Sequence, residues 1–93
     1  MHYVYLIKSK SNPSFTYTGN TKDLQQRLKQ HDQGQVYSSK KHAPFELIYY
    51  EAYSCSKDAL EREHKLKHHG SAIGHLKSRL KNSLLIKSQK GGV

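Results

Sequence analysis

How little apolar material this chain carries, and where it lies, restricts its fold more than any other feature. Hydrophobic residues make up 34% of its 93 positions, and the densest of them fall in short runs. Tyr3 to Lys8 alternates and is rich in aromatic and β-branched residues, which predicts a strand. Ser11-Asn12-Pro13-Ser14 is a turn signal, and Phe15 to Thr18 resumes a short strand, so a hairpin is the simplest pairing. Gly19 and Asn20 are expected to break that strand, and Thr21 to cap a helix from about Lys22 to Asp32, ended by Gly34. Gln35 to Pro44 is polar and basic and is expected as a loop. Phe45 to Tyr53 is the third strand. Ser56 is expected to cap a second helix ending near Gly70, with Asp58 in its first turn, where a negative charge suits the helix dipole. Ile73, Leu76, Leu80 and Leu84 recur at helical spacing and predict a final basic amphipathic helix. The order is β-β-α-β-α-α: an α+β domain with a small three-stranded mixed or antiparallel sheet flanked by helices. One domain over residues 1–86 is expected, with a flexible tail over 87–93.

A core this modest must coexist with a formal charge of +9. Such an excess repels itself and suits a polyanionic partner, since lysine and arginine displace condensed counterions from phosphates. Nucleic acid is the leading candidate; a basic surface kept for solubility, or association with the ribosome, is the plainer alternative. The single cysteine, Cys55, allows no internal disulfide and fits a reducing compartment. No apolar stretch approaches the ~18 residues of a membrane span, and no signal-peptide core opens the chain. A cytoplasmic protein without membrane contact is expected.

Two polar residues stand where apolar ones belong. On the second helix Ala59, Leu60 and Leu66 mark an apolar stripe, and Glu63 projects into it. A carboxylate facing a core is costly unless paired or holding a metal. On the first helix Leu24 and Leu28 mark the inner face, with Arg27 and His31 along its edge. A guanidinium fixed there is placed to grip a phosphate in a bidentate way. The plainer alternative is that Glu63 and Arg27 pair with each other and do nothing more. No two of the seven acidic residues have the spacing of a two-metal or glycosidase site. His64, His68 and His69 lack thiolate partners and sit among lysines, which favours contact with phosphate over zinc.

Tyr3-Val4-Tyr5 followed by Tyr17-Thr18-Gly19 resembles the paired tripeptides of the GIY-YIG nucleases. The resemblance runs on through Thr21-Lys22-Asp23-Leu24, Arg27, His31, Gly34, Tyr37, Pro44, Tyr49-Tyr50-Glu51, Ala59, Glu63 and Lys67. It covers roughly residues 2 to 85 and is nearest to the small single-domain members, similar to the N-terminal nuclease module of the excision-repair endonuclease. It implies a metal-dependent endonuclease that hydrolyses DNA phosphodiester bonds, structure-selective or weakly specific, acting in repair or recombination. Arg27 would bind the scissile phosphate, and Glu63 would be the sole protein ligand of one divalent metal, magnesium or manganese. Tyr5 and Tyr17 would deprotonate and position the attacking water, with nearby cations lowering a tyrosine pKa, and His31 would protonate the leaving oxygen. Lys22, Tyr37, Lys40, Lys41, Lys67, Lys77, Arg79 and Lys81 are the expected nucleic-acid contacts. DNA is the expected partner and RNA the other polymer that +9 attracts. Three departures stand out: Tyr3 replaces the first glycine of the first motif, Asn20 stands where many relatives have a lysine or another polar residue, and His68 to Gly74 differs from the more basic or tryptophan-containing stretch expected after the second helix. The rival readings are a non-catalytic basic nucleic-acid-binding module on the same fold and a structural RNA-bound protein.

Overall fold

The most apolar run of the chain becomes the strand with neighbours on both sides. β1 (His2–Ser9) lies between β2 (Thr16–Thr21) and β3 (Phe45–Tyr53), and both pairings are antiparallel. The computed structural model describes residues 1–85, so the expected domain end at 86 and the tail over 87–93 lie outside the described residues. Four helices follow the expected order: α1 (Leu24–Asp32) after β2, then α2 (Ser56–His68), α3 (Gly70–Arg79) and α4 (Lys81–Leu85) after β3.

Alternation assigns the two faces of the sheet. Tyr5 and Ile7, with Phe45 from β3, form one cluster under Leu24 and Leu28 of α1. Val4 on the opposite face meets Ala59 and Leu66 of α2 and Leu76 of α3. The β1–β3 register passes from Leu6↔Tyr49 to Ile7↔Leu47, skipping Ile48, and this keeps both Phe45 and Tyr50 on the α1 side.

Several local expectations are corrected. β2 does not stop at Thr18: Gly19 and Asn20 pair with Tyr5 and Val4, so the strand runs to Thr21. Gly19 belongs in a strand because the Tyr5 ring crosses it; a Cβ there would lie 2.4 Å from the Tyr5 hydroxyl and 2.7 Å from Cζ. The cap of α1 is Asp23, whose carboxylate accepts from the Gln26 N–H at 3.1 Å. Thr21, still in the strand, accepts instead from the Asp23 N–H. Ser56 is the first residue of α2 and Cys55 occupies the cap without a side-chain bond. The last helix is two, parted at Leu80. The expected loop contains a 3-10 turn, Lys40–His42, preceded by buried Val36 and Ser39. Leu60 is exposed rather than part of the inner stripe, because α2 turns Ala59 and Leu66 to the sheet.

A polar clamp holds α2 against β3. The Glu51 carboxylate accepts from Tyr49 at 2.9 Å, from Tyr53, and from Nε and Nη2 of Arg62 at 3.0–3.1 Å. Burial alone would raise the Glu51 carboxyl, but Arg62 and the two phenols outweigh it and hold it below its ordinary value. Burial and Glu51 together push the Tyr53 phenol up to about 12. Arg62 immediately precedes Glu63, so the clamp also sets the turn of helix from which Glu63 projects.

Candidate active site at the free edge of β2

β2 is an edge strand, and the candidate residues reach round that edge from both faces of the sheet. Tyr5, Tyr17 and Arg27 belong to the α1 side; Asn20, Glu63 and Lys67 belong to the α2 side. Lys67 joins the halves. Its ammonium lies 2.9 Å from Glu63 Oε2 and 5.1 Å from the centre of the Tyr17 ring. Glu63 and Arg27 do not pair. Glu63 Oε1 accepts from the Asn20 amide, while Arg27 Nη1 donates to Gln30 at 3.0 Å. Arg27 Nε is buried without a hydrogen-bond partner. A buried donor left unsatisfied is costly, and an anionic oxygen is its natural complement.

The phenol of Tyr5 is fixed by a chain of buried side chains. Its hydroxyl lies 2.7 Å from His31 Nε2, and His31 Nδ1 lies 2.7 Å from Ser39 Oγ. Burial pushes Tyr5 up to about 12, against the pull of the neighbouring Arg27 guanidinium. Among the chain's own groups, desolvation of a phenolate under α1 outweighs the Arg27 cation at this tyrosine. His31 is not at the helix edge but has 0% exposure. Burial first, and Arg27 second, lower it to about 4, so its ring is neutral at ordinary pH. With no exposed surface, it does not reach a leaving oxygen directly.

Two adjacent serines bring in the basic loop. Ser38 Oγ lies 3.0 Å from the Tyr17 hydroxyl, next to the Ser39 contact with His31. Tyr37 stands 85% exposed beside this junction, with Lys40 Nζ 5.1 Å from its ring centre. Lys40 and Lys41 share its surface groove. The other expected basic contacts are not gathered here. Lys22 lines a groove with Tyr3, Leu24 and Tyr50. Arg79 lies near Tyr49, on the β3 side, and Lys77 and Lys81 sit on α3 and α4. Sequence reasoning missed Ser38, Ser39 and Gln30, since hydroxyls and amides in polar stretches carry no periodic signal. Asn20 drew attention as a departure, and the structure makes it the partner of Glu63.

A carboxylate, a guanidinium and two phenols thus gather round one strand edge. The family model described as the GIY-YIG catalytic domain matches residues 1–81. The UPF0213 protein of Staphylococcus saprophyticus is 36% identical over 67 residues, 71% of this chain and 79% of the relative. A UPF0213 protein of Staphylococcus epidermidis is 37% identical over the same shares. The solution NMR structure of the UPF0213 protein BH0048 from Bacillus halodurans superimposes with a TM-score of 0.51 at 26% identity, covering 96% of this chain and 98% of that one. The chain belongs to the GIY-YIG family. That membership implies a nuclease domain in general and a nucleic-acid substrate. Among the described residues no helix is long and apolar enough to cross a membrane.

Proposed function

We propose that this protein is a divalent-metal-dependent endonuclease that hydrolyses DNA phosphodiester bonds with structure-selective or weak specificity. The observation that carries the reading is the meeting of Tyr5, Tyr17 and Arg27 with Glu63 and Lys67 round one strand edge. A role in repair or recombination fits a domain with little surface for reading bases.

The donor set fits magnesium or manganese. Among the described residues no three His, Cys, Asp or Glu side chains are grouped to hold an ion, and Glu63 would be the one acidic ligand. Magnesium accepts such sites because it keeps waters and takes further oxygens from phosphate. Glu63 already attracts a cation in Lys67, a flexible side chain able to swing to a phosphate oxygen. A bound ion supplies Lewis acidity and neutralises charge next to the scissile phosphate.

The chain's own residues do the remainder. Arg27, through its unpartnered Nε, binds a phosphate oxygen and stabilises charge developing in the transition state. With His31 neutral, one of its nitrogens accepts and the other donates. If the Tyr5 O–H donates to Nε2, Nδ1–H meets Ser39 and the phenol oxygen is left to face the Arg27 guanidinium. Tyr5 then steadies Arg27 beside the phosphate, and His31 acts through Tyr5 as a positioning residue. Tyr17, held between Ser38 and Lys67, borders the phosphate. Tyr37, Lys40 and Lys41 hold the backbone beyond it.

The test uses wild type, Arg27→Ala and Glu63→Ala, each verified as folded, on labelled single-stranded, nicked and branched DNA and on RNA. Cleavage with magnesium or manganese, absent with chelator and reduced about a hundredfold or more in both variants, is expected. Binding by all three without cleavage would instead support the non-catalytic module, a reading favoured by the engagement of both Glu63 oxygens by Asn20 and Lys67.

A further inference from the structure

Glu63 and Lys67 also line an open cleft of about 640 Å³ along the outward side of α2, with Leu60, His64, Lys65 and His68. The groups proposed for hydrolysis occupy only its Glu63 and Lys67 end. Leu60 leaves 55% of its surface in water, although it adjoins the positions that turn to the sheet. His64 and His68 are both exposed, with ring centres 4.4 Å apart and planes inclined by 37°. His69 adds a third ring, 6.3 Å from His64 and edge-on to it. The cleft therefore has an aromatic and aliphatic floor and a rim that carries Lys65 and Lys67 together with the carboxylates of Glu61 and Glu63, and its Glu63 end is the candidate active site.

Phosphate gains from the lysines but nothing from ring faces or a leucine. A nucleobase gains from both, because every base has a π-face and an apolar edge. In a duplex those faces are covered by the neighbouring pairs, so such a floor finds an occupant only where the strand is unpaired. We infer that this cleft is a subsite for an unpaired nucleotide flanking the phosphate at Arg27 and Glu63, its base against His64, His68 and Leu60 and its backbone on Lys65 and Lys67. The inference rests on the nuclease reading for the position of that phosphate. It narrows the substrate class to nucleic acid that is single-stranded on the α2 side of the cut.

Three proteins test it: wild type, His64→Ala/His68→Ala and His64→Phe/His68→Phe, each compared by circular dichroism. The ligand is one labelled oligodeoxynucleotide, offered as a single strand and fully paired. Binding is read by anisotropy in chelator, and cleavage in manganese. The alanine pair is expected to weaken single-strand binding by about fivefold to about a hundredfold per base. KM should rise over the same range with kcat unchanged, and duplex binding should move by less than about twofold. The phenylalanine pair should restore the single-strand affinity, since it keeps the ring faces without the imidazole hydrogen bonds. Equal losses on both ligands, failure of phenylalanine to rescue, or no single-strand binding by wild type would each overturn the subsite. Cleavage by wild type that is indifferent to the alanine pair removes the subsite and leaves the nuclease standing. Binding without cleavage, still sensitive to the alanine pair, does the reverse.

Discussion

His31 makes the fold acid-sensitive by an amount the structure allows to be worked out. Its ring is fully buried between Tyr5 and Ser39, and its pKa is lowered from 6.5 to about 4. The unfolded chain thus binds a proton at this position over a range where the folded chain does not. Stability rises with pH through that window and is lost as pH falls from about 6.5 towards about 4. Each pKa unit corresponds to about 1.36 kcal/mol, so the loss is about 3 kcal/mol. That is a large fraction of the 5–15 kcal/mol typical of a domain, by the usual rough range. Urea unfolding of wild type and His31→Gln at intervals from pH 8 to pH 4 checks it. The variant is expected to be less stable at neutral pH, with a flatter profile, and the gap between the curves should close by about 3 kcal/mol towards pH 4. Other groups, Glu51 among them, contribute to both curves and drop out of the difference. Parallel curves would refute the reasoning, as would a His31 imidazole titrating near its ordinary value by NMR.

Gly19→Ala places a methyl group 2.4 Å from the Tyr5 hydroxyl, and the anchored ring has no room to yield. It should cost about 1–3 kcal/mol in denaturant unfolding and disturb any cleavage. Gly74→Ala meets nothing within 4 Å on helix α3 and should instead stabilise by about 0.5–1 kcal/mol. Glu51→Gln removes the charge that Arg62, Tyr49 and Tyr53 share, and should cost about 1–3 kcal/mol at neutral pH. Because Glu51 is held below its ordinary value, its contribution is present above that value and fades as pH falls through the folded one. The difference between Glu51→Gln and wild type should therefore shrink only at strongly acid pH.

The element order was legible because alternation and helical spacing are local, and a chain this poor in apolar residues has few other ways to cover a sheet. The ordered set from Tyr5 to Glu63 likewise carried the family resemblance, which the family match over residues 1–81 bears out. Element ends were less legible. Gly19 and Asn20 look like breakers in isolation, and only their pairing with β1 keeps them in a strand. The burial of His31, the neutral ring that follows from it and the raised Tyr5 come from α1 lying over the sheet, a relation between segments distant in sequence. The same holds for Asn20 rather than Arg27 as the partner of Glu63. Residue type and spacing decide which side chains are offered to each face; desolvation and hydrogen-bond partners depend on what lies across the gap, and only the tertiary structure supplies that.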